Sequence, residues 1–355
     1  MKKIFLVLFL FISSLCFSQS NEYKDLMEEL YYNRQPSPRA EAMGRGLSAD
    51  NQNDFGLYYN PALTSLGQGL KVNVSFSNKY KYYEKGNFNS LNISYNLKNI
   101  GSFGFSRYGI KFSDKGIQAE DSWYPSIYTL NYSREIIKDF YAGVNLNGVV
   151  PGYISQQGAV LNHPLYTIDI GLLKKFTFYD STNKVFPIIS VGGSIININE
   201  TKFHHTNPVG NSYVFYLPTI ARIAASVNFI YKKNTFINNL DFFNVLLHLE
   251  YENTLNSRNR NAFKGGLEIG FSDILFIRGG ALNLNTRNKS VTDSDYGKQE
   301  STETFGAGVK IPIDLIFKLK TSASIALDYT NLKLNKYDTD RFHSFAVKLN
   351  YIPNF

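Results

Sequence analysis

From Leu70 onward the chain alternates. Val72, Val74 and Phe76 oppose Lys71, Asn73 and Ser75, and Leu91, Ile93 and Tyr95 oppose Ser90, Asn92 and Ser94. Period-2 alternation is what a strand shows when one face meets an apolar phase and the other a polar one. Further strands are predicted near 101–112, 124–135, 139–149, 165–176, 185–198, 214–231, 241–253, 260–271, 273–283, 302–313, 317–331 and 342–355. The pattern is clearest late in the chain. Phe243, Val245, Leu247, Leu249 and Tyr251 oppose Asn244, His248, Glu250 and Glu252, while Leu319, Ala323, Ile325, Leu327 and Tyr329 oppose Lys318, Lys320, Ser322, Ser324 and Asp328. In the last stretch Phe345, Val347, Leu349 and Tyr351 share a parity with the terminal Phe355.

The count is about fourteen strands, and the connections alternate in length. Those over 79–87, 150–164, 200–212, 283–301 and 332–341 are long, and those over 98–101, 135–139, 272–273 and 313–317 are short. The connections near 177–184 and 232–240 are longer than the rule wants. An even strand number with long loops at one end and short turns at the other is the pattern of a transmembrane antiparallel β-barrel. The predicted fold is therefore all-β, with residues 70–355 as the barrel.

Lys2 and Lys3 precede an apolar run from Ile4 to Ile12 and a small-residue exit, which reads as a signal peptide over 1–18. Leu15 before Cys16 does not fit a lipobox, and no cysteine follows, so a disulfide-stapled fold is excluded. Phe (28) and Tyr (25) are abundant against one Trp, yet mean hydropathy is below zero and no later run is long enough for a helical span. The net charge of +8 belongs to an exported chain. It is read as lumen and loop surface facing outer-membrane lipid, with no nucleic-acid partner.

Residues 19–69 do not read as strand. Asn21 to Tyr32 fits a short helix, and Pro36 and Pro38 mark an extended linker. Then come Ala42-Met43-Gly44-Arg45-Gly46, the separated Asp50 and Asp54, and the turn Asn60-Pro61-Ala62. This order resembles the superfamily of fourteen-stranded outer-membrane barrels typified by the fatty-acid transporter FadL, and within it the PorV/PorQ branch of the Bacteroidetes. Arg45 stands where that family has a small residue, and its acidic pair is split here. The resemblance implies that the segment folds into the lumen as a hatch. It also implies that the terminal strand, with Tyr351 and Phe355, is read by the barrel assembly machinery.

No catalytic signature is present: there is no Gly-x-Ser-x-Gly elbow, Walker loop or His-Glu-x-x-His. The chain reads as a non-enzyme with no cofactor and no metal. His204 and His205 are adjacent in a long loop and read as solvated. His248, Glu250 and Glu252 share one strand face and, beside Lys264, Glu268 and Arg278, read as a mixed-sign lumen network.

In the third strand Phe103 and Phe105 share one parity, while Tyr108, Ile110 and Phe112 occupy the other. If one face is uniformly apolar, an extra residue is required, so a bulge or kink is expected at Ser106–Arg107. The resemblance gives such a kink a role as a sideways opening. Two functions follow. One is a docking component of type IX secretion whose partners are secretion proteins or cargo. The other is a diffusion channel whose partner is a hydrophobic small molecule. The inward parity, with Lys264, Lys310, Lys318, Lys320 and Lys348, is polar and favours docking.

Overall fold

The computed structural model describes residues 29–33, 35–50, 52, 55–77, 86–112, 126–150, 165–178, 185–206, 212–231, 243–256, 259–287, 298–319, 321–332 and 342–353. The signal peptide, Asp54, Lys320 and Phe355 lie outside them. The strands are β1 (Gly69–Ser77), β2 (Gly86–Leu97), β3 (Gly101–Phe112), β4 (Ser126–Ile137), β5 (Phe140–Val150), β6 (Leu165–Thr177), β7 (Val185–Ile196), β8 (Lys202–Thr206), β9 (Ser212–Tyr216), β10 (Ile220–Tyr231), β11 (Phe243–Thr254), β12 (Asn259–Phe271), β13 (Leu275–Arg287), β14 (Lys298–Pro312), β15 (Ser322–Leu332) and β16 (Phe342–Ile352).

Fourteen of these close into one antiparallel barrel, each strand beside its sequence neighbour except that β7 pairs with β10. β8 and β9 form a separate hairpin within the β7–β10 connection. Closure is made by β1 and β16, in register from Leu70↔Tyr351 to Ser77↔Ser344. The expected strand count and antiparallel closure are thus observed. The predicted strand over 214–231 is two strands, because Leu217-Pro218-Thr219 separates β9 from β10 and Pro218 has no N–H for a ladder. The predicted short connection at 313–317 is a one-turn helix, Ile313–Phe317. Of the helix expected over Asn21–Tyr32, the described part is a π-type turn at Glu29–Asn33.

The two faces of the wall differ as the alternation requires. Outward positions carry Leu, Ile, Val and Phe, and Leu249, Phe263 and Ile277 are each more than 60% exposed. This band ends in aromatics at both rims. Tyr95, Tyr231, Phe243, Phe271 and Tyr351 stand toward the short turns, and Phe76, Tyr128, Tyr251, Phe263 and Phe345 toward the long loops. Cross-strand ring pairs such as Tyr251–Phe263 (4.8 Å) and Phe243–Phe271 (5.4 Å) tie neighbouring strands together at each rim. Beyond the loop-end rim the outward positions become Asn89, Asn253, Asn261, Glu303 and Asn331. An apolar belt between aromatic girdles, on a sheet with no free edge, is the surface of a barrel that spans a bilayer.

Candidate functional site: a lumen filled by the N-terminal segment

The inward face is polar but not solvated, because residues 35–50 and 55–66 lie inside the barrel and are almost entirely buried. Helix α1 (Pro38–Ala42) starts where Ser37 accepts from the Ala40 N–H at 3.1 Å, with Pro38 preset for the first turn. A second turn, α2 (Gly56–Tyr59), runs into a 3-10 turn at Pro61–Ser65. Asn60 joins the two. Its Oδ1 accepts from the Ala62 N–H (3.0 Å), and its amide donates to Ser48 O (2.8 Å) inside the segment and to Leu172 O (2.9 Å) on the wall.

Wall glycines receive the segment wherever it touches. A methyl at Gly266 would collide with Met43, one at Gly280 with Gly44, and one at Gly143 or Gly171 with Pro61 or Asn60. Gly44 itself has φ +70°, a conformation that glycine adopts without strain. All four wall glycines fall on the inward parity; the segment's backbone meets Gly143, Gly266 and Gly280, and the Asn60 side chain meets Gly171.

Wall side chains then satisfy the segment's free carbonyls. Thr304 donates to Ala42 O (2.8 Å), Ser226 to Ala49 O (2.7 Å), Asn145 to Leu57 O (2.8 Å) and Ser194 to Tyr59 O (2.8 Å). A non-helical backbone in a membrane protein needs such partners, since nothing else in a dry lumen can pair it.

Two ion-pair networks complete the seat. In the first, Arg39 donates to Asp50 (2.7 Å) and to Glu268 on β12 (2.7 Å). Glu268 also takes Arg278 (2.5 Å), Arg278 reaches Asp328 (2.6 Å), and Asp328 takes Lys348 (2.5 Å). Three cations thus face three carboxylates, and the chain of charges runs from the segment across β12, β13, β15 and β16. In the second, Lys264 joins Glu250 (2.9 Å) and Glu252 (2.6 Å), and Arg222 joins Glu252 (2.9 Å). Glu250 accepts from the Ser48 N–H (2.9 Å), and Arg222 donates to Tyr58 O (2.9 Å). His248 lies 3.5 Å from Glu250. Buried charges require this degree of pairing. The mixed-sign network expected of His248, Glu250, Glu252, Lys264, Glu268 and Arg278 is present, and it grips the N-terminal segment.

The expected break at Ser106–Arg107 is absent. β3 stays in register with β2 from Gly101↔Leu97 to Phe112↔Gly86, and with β4 from Ser102↔Ser133 to Gly109↔Ser126. Tyr108 and Ile110 point inward without any slip because the lumen wall itself turns apolar at the loop end. Phe88, Tyr108, Ile110, Ile127 and Val149 all face inward there and are buried. Arg107 points outward, donating to Asn89 and to Ser126 (3.0 Å) on the flanking strands.

The wall is irregular elsewhere. β6 and β7 pair only as far as Ile170↔Ile195. Toward the loops the backbone bond from Ile198 N–H to Ile168 O (2.8 Å) is joined by side chains: Asp169 accepts from the Asn197 N–H (2.9 Å), Asn199 accepts from the Ile168 N–H (2.9 Å), and Thr201 donates to Tyr166 O (2.5 Å).

The N-terminal segment divides the lumen into two unlike ends. Above it, Tyr58 packs edge-on against Tyr59 (4.9 Å) and Tyr108 (5.3 Å) beneath the apolar wall. A cavity of about 20 Å³ remains there between the apolar Leu57, Ile127 and Ile196 and the polar Asn147, Asp169 and Arg222. Below it, toward the turns, a cavity of about 290 Å³ is lined by Asn73, Arg278, Lys310, Asp328, Lys348 and Asn350. Met43 and Arg45 are both buried, and Arg45 donates to Tyr32 O (3.0 Å), tying the preceding turn at Glu29–Asn33 to the segment. His204 and His205 lie on β8, outside the barrel. Tyr351 is an outward residue of the closing strand.

These features define a membrane-spanning barrel of fourteen strands with an occupied lumen. No protein-family model matches the chain, and no curated protein matches it. Among solved structures it is similar to the toluene transporter TodX of Pseudomonas putida, at 11% identity over 91% of this chain and 99% of that one, with a TM-score of 0.42. It is similar also to the monoaromatic hydrocarbon channel CymD (12% identity, 90% and 97% covered, TM-score 0.43). A third is a FadL homologue of Pseudomonas aeruginosa (11% identity, 90% and 98% covered, TM-score 0.40). At this distance nothing about a substrate carries over from them.

Proposed function

We propose that the protein is an outer-membrane channel for hydrophobic small molecules, held closed by a hatch formed by residues 35–66. The observation that carries this reading is the inward apolar wall of Phe88, Tyr108, Ile110, Ile127 and Val149, set over the aromatic upper face of the hatch. An apolar concavity with a few polar groups is the general form of a site for apolar ligands. In this reading Ala42, Met43, Gly44, Gly46, Asp50, Asn60, Pro61 and Ala62 form the seated part of the hatch. Tyr351 belongs to the strand read during assembly.

The docking role in type IX secretion, with a PorV/PorQ-like ancestry, drew its support from the polar inward parity. That parity has another explanation here. Lys264 and Lys348 are engaged in the networks that seat the hatch, Lys310 pairs with Asp273 (2.5 Å), and Lys318 follows a helix rather than lying on a strand.

Binding of a fluorescent apolar probe to the purified barrel tests the channel. Saturable binding that Ile127→Asn weakens is expected. Probe binding that is non-saturable and indifferent to that substitution would remove the proposal's basis.

A further inference from the structure

Outside the lumen, the apolar wall is interrupted at the turn end of β4–β6. Arg134 on β4 and Lys174 on β6 both sit at outward positions, on either side of β5. In register, Arg134 lies across from Ala142 and Ala142 across from Leu172, while Lys174 lies across from Phe140. Adjacent strands are about 4.8 Å apart, so the two cations flank β5 at roughly 10–12 Å, within reach of one another's long side chains. On β5 the outward positions between them are Ala142, across from Arg134, and Phe140, across from Lys174.

Arg134 is exposed, and Lys174 is held at the rim by donation to Lys138 O (2.8 Å) with its ammonium 5.6 Å from the Phe176 ring. The nearest carboxylates do not neutralise the pair. Glu135 accepts from the Asp139 N–H within the β4–β5 turn (2.6 Å), and Lys138 and Lys175 add positive charge beside Asp139. The next outward row toward the bilayer centre is Tyr132, Val144 and Ile170, all exposed, while Ile136 and Ile137 extend the apolar surface past the cations.

We propose that this patch binds an acidic diacyl phospholipid of the turn-side leaflet. Its phosphate would lie between Arg134 and Lys174, and its acyl chains along Val144, Ile170 and Leu172. Two features favour lipid over a protein partner. The patch is continuous with the wall that faces the bilayer, and the apolar rows above it run in the direction that acyl chains take. Cations at the headgroup level attract anionic lipid by charge, and guanidinium and ammonium groups donate charge-assisted hydrogen bonds to its phosphate. This inference does not depend on what crosses the lumen.

The test is native mass spectrometry of the full barrel in neutral detergent, titrated with equal amounts of phosphatidylglycerol and phosphatidylcholine. Wild type is expected to retain phosphatidylglycerol in about thirtyfold preference, the scale set by two surface cations. Arg134→Gln/Lys174→Gln is expected to bring the ratio near one while still migrating as a closed barrel on an unheated gel. Three results would overturn the proposal: no preference in wild type, a preference that survives the double substitution, or one lost instead in Arg107→Gln, the outward cation at the opposite rim. Displacement of the lipid by millimolar inorganic phosphate would show a free-phosphate site instead and would equally overturn it.

Discussion

Arg39 is the residue on which the hatch most depends. It is buried and joins Asp50 of the hatch to Glu268 of the wall. Replacing it with Ala removes the ion pair to buried Asp50 and leaves Glu268 with Arg278, a loss of about 3–5 kcal/mol. Arg39→Ala is therefore expected to lower the urea midpoint for hatch release and to turn a silent barrel into an ion-conducting one in planar bilayers. Gly280→Val should act by another route, since its side chain would occupy the place of Gly44. The barrel is expected to close normally while the hatch stays undocked, read as conductance without loss of heat-resistant migration. Tyr58 supplies a pH test. Burial pushes its hydroxyl up to about 12 from 10.0, with Arg222 opposing. Its raised value means the neutral phenol stabilises the seated hatch, fully below pH 10 and progressively less as pH rises toward 12. A tyrosinate absorbance step in that window, smaller in Tyr58→Phe by the share of one tyrosine, is the expected record.

At the scale of elements, the strands were legible because each has one face toward lipid, and period-2 alternation reports that contrast directly. The misreading in β3 came from the other face. A bulge is needed to bring Tyr108 and Ile110 outward only if the lumen is polar throughout. The register is continuous, so the switch in parity marks a change in what fills the lumen. Hydropathy along one strand cannot separate these cases. The hairpin β8–β9 was hidden for a related reason, since it stands beyond the bilayer where neither face meets lipid. The wall glycines were visible all along as inward-parity glycines in otherwise regular strands at Gly143, Gly171, Gly266 and Gly280. What was missing was a partner that needed their space. If the apolar wall is the binding surface, Ile110→Asn and Ile127→Asn should each weaken an apolar probe by about tenfold, the scale of removing one aliphatic side chain. Arg107→Ala should leave that affinity unchanged.

For the whole molecule, the lumen contains two solutions to one problem. A barrel of fourteen strands is too wide for its own side chains to fill. Balanced ion pairs seat the hatch toward β10–β16, glycines of β5, β6, β12 and β13 receive it, and apolar packing meets it under β2–β5 at the loop end. The first is stiff, because breaking it leaves buried charge. The second can part around an apolar guest with little electrostatic cost. This asymmetry is the reason to read the loop end as the entrance. The most direct measurement is affinity purification from the native outer membrane in mild detergent, with mass spectrometry of both proteins and retained small molecules. The account predicts a barrel without stoichiometric protein partners, carrying an apolar molecule that is lost in Ile127→Asn. A barrel with an empty lumen, recovered with secretion proteins in fixed proportion, would contradict it.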